Sequence, residues 1–127
     1  MSNNVVLLIG RVLLSFMFIM SGLQKFGDIA GTAGYIGSVG LPAATLLAWL
    51  ATIFEVVAGL AVLVGFQMRI AAWLLAAFCV FTALVFHNSL GDMTQMLLFT
   101  KNLTIAGGFL ALSVAGAGAL SLDAKRA

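Results

Sequence analysis

The chain has 127 residues, of which 63% are hydrophobic and only 8% charged, with a mean hydropathy of +1.19. A soluble domain carries about 25% charged residues to keep its surface wet, so this composition excludes a water-soluble domain and predicts an integral membrane protein. The net charge of +2 is small, and no basic stripe alternates with aromatics, which excludes nucleic acid as a partner; the lone Cys79 cannot form an internal disulfide, a CxxC pair or a zinc cage.

Four apolar runs, Val5–Leu23, Ala44–Phe66, Ile70–Phe86 and Leu103–Leu120, each approach the roughly 20 residues that cross a hydrocarbon core. Unalternating runs with a single proline in the chain mean helices rather than a barrel, because backbone in lipid must satisfy itself. The predicted fold is all-α: one domain over residues 1–127, a four-transmembrane-helix bundle with short interfacial segments between the first and second spans and between the third and fourth.

The first run has no basic residue before it, and Arg11 interrupts it, so it reads as a membrane span rather than a cleaved signal. Arg11, Ser15, Phe18, Gly22 and Lys25 follow helical spacing and stack along one side. The link that follows, "QKFGDIAGTAGYIGSVGLP", suits a segment at the interface, with Tyr35 at headgroup depth. In the second span Glu55 stands among Ala48, Ala51, Thr52, Gly59 and Val62 on one side, small neighbours that let another helix approach. A charge at bilayer centre costs about 2.5–3.5 kcal/mol on insertion scales, so a partner is expected. Arg11 is the only other charge within a span, and aligning span midpoints offsets it from Glu55 by only about 5 Å. An Arg11–Glu55 ion pair is therefore predicted, with Ser15 and Thr52 beside it in an intramembrane ligand site.

The turn "QMR" makes the second and third spans antiparallel neighbours. In the third span Cys79 lies among Phe78, Val80 and Phe81 and reads as inert packing. His87 and Asn88 close that span at the level of Lys25, Asp28, Asp92 and Lys101. Lys25, His87, Lys101 and Asn102 form an outer polar group, readable either as ordinary helix ends at the headgroups or as a receiver for an anion or a quinone carbonyl. One histidine and two acids give no metal-ligand spacing, so no metal is expected. In the next link Asp92 is expected to cap a short amphipathic turn whose Met93, Met96 and Leu97 face the membrane. The fourth span carries a small-residue row, Thr104, Gly108, Ala111, Ala115 and Gly118, which predicts a packing face within the bundle or in a homodimer. Arg69, Lys125 and Arg126 on the side of the termini outnumber Lys25 and Lys101 on the other, which predicts cytoplasmic termini.

Three stretches, "GRVLLSFMFIMSGLQKF", "FEVVAGLAVLVGFQMRIAA" and "FTKNLTIAGGFLALSVAGAGALSLD", resemble the DoxX family of small four-helix membrane proteins, named after a subunit of a thiosulfate:quinone oxidoreductase. They cover most of the chain in the family's order. Arg11, Ser21–Gly22 with Lys25, Glu55, Arg69 and Lys101–Asn102 fall where the family pattern has them. The resemblance implies a bacterial-type inner (plasma) membrane location, association with a redox enzyme, and contact with quinone. No intrinsic cofactor is expected, only a bound quinone or lipid. Two alternatives remain open from the residues alone: a small proton-coupled exporter using Glu55, and a non-catalytic assembly or chaperone-like subunit in which the ion pair only locks helix register.

Overall fold

A computed structural model describes residues 2–126. The elements are α1 (Asn3–Phe26), α2 (Ile29–Ser38), α3 (Ala44–Val64), α4 (Met68–Phe86), α5 (Met93–Ala115) and α6 (Leu122–Arg126), with no strand among the described residues. Four of them, α1, α3, α4 and α5, are long and apolar enough to cross a membrane, as the sequence predicts. Leu13, Phe16, Val57, Trp73 and Val114 each remain at least 60% exposed. In water such a surface would drive aggregation; in lipid it is the solvent contact.

Local chemistry sets the ends of these helices. The Ser2 hydroxyl accepts from Val5 N–H at the start of α1, and Asp28 accepts from Gly31 N–H at the start of α2. Gly65, left-handed at φ 73°, closes α3. Phe66 N–H donates to Ala61 O at 2.8 Å and Gly65 N–H to Val62 O at 3.2 Å, a Schellman arrangement that frees the chain to turn at once into α4. Asp92 caps as expected, accepting from Thr94 N–H at 2.9 Å. The helix it starts is not a separate amphipathic turn, however, but the first part of α5, which runs unbroken to Ala115. Gly116 and Gly118, both at φ 83°, end it there, so the fourth span begins and ends earlier than the apolar run suggests.

In the packing, α1 lies along α3 and α4 along α5; α3 joins the two pairs through α4, while α1 meets α5 only sparsely. Phe18 of α1 bridges the pairs, with ring centroids 5.6 Å from Phe109 and 6.4 Å from Phe78. The predicted α1 stripe is the buried face: Arg11, Ser15, Phe18 and Gly22 are all inside. The α3 face around Glu55 is buried likewise, through Ala48, Thr52, Gly59 and Val62. The small-residue row serves the bundle only in part. Gly108 lies against Leu14 and Gly118 against Leu7, but Thr104, Ala111 and Ala115 are exposed, and α5 buries Asn102, Ala106, Phe109, Leu112 and Ser113. Short α2 packs Ala33 and Ile36 against Ala48 in the first turns of α3.

At the end holding the termini, side chains satisfy exposed helix ends. The Arg11 guanidinium, wholly buried, donates to Leu63 O near the end of α3 and to Leu120 O. Arg69 donates to Ser113 O and Val114 O at 2.9 and 2.8 Å, at the end of α5. Asp123 takes Gln67 N–H and Met68 N–H at 2.7 and 2.9 Å, at the start of α4. Cations at carbonyl ends and an anion at an amide end suit the helix dipoles as well as the orphan groups.

The arrangement predicts which positions share a side of the membrane. In a Cys79→Ala background, cysteines at Tyr35 and Thr94 are expected to react with an impermeant reagent applied from outside, and one at Lys125 to react only after permeabilisation. Labelling of positions 35 and 125 from the same side would rule out the four-span topology.

Candidate functional site

The site begins with how α1 meets α3. Gly22 lies so close to α3 that a Cβ there would collide with the Val56 side chain and come within 3.2 Å of Thr52 O. Gly59 abuts Phe18 and Ile19 in the same way. These contacts place Glu55 level with Gly22. Lys25, three residues further, is then about 5 Å away along the axis, and Arg11, eleven residues back, about 16 Å.

The predicted Arg11–Glu55 pair is accordingly replaced by another. Lys25 Nζ lies 2.6 Å from Glu55 Oε1, the one salt bridge among the described residues, while Arg11 is held by backbone carbonyls at the opposite end. Midpoint alignment misplaces α3 by about 12 Å, because its first turns project past the end of α1 to pack on α2. Ser15 and Thr52 do not join the site either. Their hydroxyls donate back to their own helices, to Val12 O at 3.3 Å and Ala48 O at 2.7 Å.

Between the two helix pairs and beneath α2 lies a cavity of about 870 Å³, of the size that takes a small organic ligand. Its walls are apolar and rich in aromatic rings: Phe18, Phe54, Phe78, Phe81 and Phe86. Leu50 of α3 and Leu74 and Phe81 of α4 line it and are also more than half exposed, so it opens sideways between α3 and α4 at hydrocarbon depth. Tyr35 covers the far end, its ring stacked on Phe86 at 5.3 Å and its hydroxyl donating to Phe86 O at 3.3 Å. Cys79 also lines the cavity, as a free and buried thiol.

The structure brings the whole predicted outer polar group to this cavity. Lys25, His87, Lys101 and Asn102 all line it, and Glu55 joins them. His87 Nδ1 lies 3.0 Å from Gln95 Oε1; with the amide oxygen accepting, the neutral ring keeps Nε2 as its acceptor. Asn102 Nδ2 donates to Thr82 Oγ1 at 3.0 Å. Lys101 makes no ion pair among the described residues. Glu55 is only 3% exposed, and its Oε2 has no hydrogen-bond partner. The sequence does not single out Gln95 or Thr82. Helical spacing sets Gln95 one turn into α5 beyond the Asp92 cap, but only the fold shows that the turn faces His87. No group of residues suited to a metal ion is present among the described residues.

The ion pair predicts an asymmetry. Lys25→Met leaves a buried carboxylate uncompensated and is expected to cost about 3 kcal/mol in detergent melting. Glu55→Leu leaves an ammonium whose side chain is already 31% exposed and can reach the headgroups, so it is expected to cost under about 1 kcal/mol. Equal losses from the two variants would contradict this geometry.

Comparison with known proteins agrees with the fold. The DoxX family profile matches residues 6–88. The inner membrane protein YqjF of Escherichia coli is 40% identical over 121 residues, covering 95% of this chain and 92% of its own. The inner membrane protein YphA of the same organism is 38% identical over 130 residues, covering 98% and 92%. A candidate oxidoreductase of Bacillus subtilis, CatD, is 35% identical over 66 residues, covering 52% and 48%. No solved structure matches the chain significantly. With both a family profile over most of its length and near full-length relatives, the chain belongs to the DoxX family.

Proposed function

We propose that the cavity holds the ring of a membrane quinone and that the protein serves as a subunit of, or an accessory to, a redox enzyme of the inner membrane, with its termini cytoplasmic. The observation that carries this reading is the cavity itself: aromatic walls open to hydrocarbon, with Lys25, Glu55, His87 and Lys101 among the lining groups. A quinone needs both kinds of wall. Its ring and tail partition into lipid and its carbonyls need donors, which Lys25 and Lys101 can supply. The residues present therefore fit the group.

When bound, the quinone supplies two-electron chemistry; no side chain here does, so electrons reach it from a partner protein. The chain's own part is to bind the ring between the phenylalanines, orient its oxygens toward the lysines, and keep bulk water from the hydrocarbon end. The oxidoreductase named among the relatives supports a redox setting, and the two inner membrane proteins support the location. A proton-coupled exporter would need Glu55 free to exchange protons with its cargo, whereas here Lys25 lies against it at 2.6 Å.

The test is mass spectrometry of protein purified gently from its native membrane. Retained quinone is expected in the wild type. Lys101→Ala is expected to lower it about tenfold, the loss of one hydrogen bond from a charged donor, with thermal stability unchanged, whereas His87→Ala, whose free Nε2 offers a carbonyl no donor, is expected to leave it unchanged. Full retention in Lys101→Ala would place any quinone elsewhere; a stoichiometric protein partner without quinone would favour an assembly role.

A further inference from the structure

We infer that the site prefers the reduced, hydroxyl-bearing form of its ring ligand, with Glu55 as the residue that reads the hydroxyl. The inference rests on the quinone reading and adds a redox state to it. Glu55 is buried, lines the cavity, and spends only Oε1 on Lys25. Oε2 receives no hydrogen bond from the described residues. A buried carboxylate oxygen without a donor is costly, and it forms a strong hydrogen bond when a donor arrives. Oε2 itself has almost no accessible surface, so a donor reaches it from the cavity that Glu55 lines as the carboxylate turns toward the ligand.

The chemistry of the two ligand forms then differs at one point. A quinone carbonyl only accepts, so it can satisfy Lys25 or Lys101 but leaves Oε2 bare. A hydroxyl accepts and donates together. It can take a lysine N–H on its lone pair while giving its own proton to Oε2. His87 lines the same cavity, and with Nδ1–H given to Gln95 Oε1 its other ring nitrogen, Nε2, is a second acceptor. A cavity end that mixes ammonium donors with unfilled acceptors matches a hydroxyl better than a carbonyl.

Substituting Glu55→Gln should do more than weaken this preference. Lys25 is a donor only, so it draws the amide oxygen to itself and turns the –NH₂ toward the place of Oε2. An acceptor becomes a donor, and the preferred partner changes from hydroxyl to carbonyl.

The experiment measures anaerobic binding of duroquinone, durohydroquinone and the dimethyl ether of durohydroquinone to the full-length protein in nanodiscs. Durohydroquinone is expected to bind about tenfold tighter than duroquinone, the factor for one hydrogen bond to a charged acceptor. The dimethyl ether, which has no proton to give, should lose that advantage, and Glu55→Gln should favour duroquinone. Should Glu55→Gln not fold, the comparison of hydroquinone with its ether in the wild type decides the matter alone. Equal binding of duroquinone and durohydroquinone would overturn the preference and leave the quinone reading standing. Binding of none of the three would overturn both.

Discussion

The backbone of α1 at Gly22 lies directly against that of α3 at Thr52 and Val56, and the rest of the molecule follows from that contact. Any side chain larger than hydrogen would push the two helices apart, and Gly59 enforces the same approach from the other helix. Small residues are how helices associate in lipid, where burying apolar surface gains nothing over leaving it in the bilayer. The contact sets the depth of every charge. It lifts Lys25 to Glu55, leaves Arg11 at the opposite end, and lets the first turns of α3 project far enough to hold α2.

The two ends of the bundle consequently do different work. At the end with the termini, Arg11, Arg69 and Asp123 direct hydrogen bonds to the ends of α3, α4 and α5, with Arg11 Nε left without a partner among the described residues and away from the cavity. This end is stapled, because orphan carbonyls and amides near lipid cost several kcal/mol each unless something fills them. At the other end the polar groups are left partly unfilled. Among the described residues Glu55 Oε2 lacks a donor and Lys101 lacks an anion, and both residues border the cavity. Unspent hydrogen-bonding capacity beside an open volume is what a binding site requires and a structural joint avoids.

The cavity exists because the helices pair unevenly. Close packing of α1 on α3 and of α4 on α5, with sparse contact between α1 and α5, leaves the volume between the pairs to be filled by rings rather than by backbone. Phe18 closes it at the level of Phe78 and Phe109, and Tyr35 covers it from α2. A lipid-soluble molecule can enter sideways, past Leu50, Leu74 and Phe81, without crossing the polar end.

Composition and run length alone determined that the chain is helical and spans a membrane four times, because hydrocarbon permits few alternatives and ten charges cannot wet a domain of this size. Helical spacing also identified the buried faces of α1 and α3, which is a property of one helix at a time. The outer polar group was legible because Lys25, His87, Lys101 and Asn102 flank the apolar runs, although α5 starts early enough to put Lys101 and Asn102 near its middle. What only the tertiary structure decided was register. Whether Glu55 meets Arg11 or Lys25 turns on a slide of about 12 Å between two helices, and no single run of sequence encodes that distance. It arises from glycines of α1 and α3 fitting each other and from α2 packing on the part of α3 that projects beyond α1.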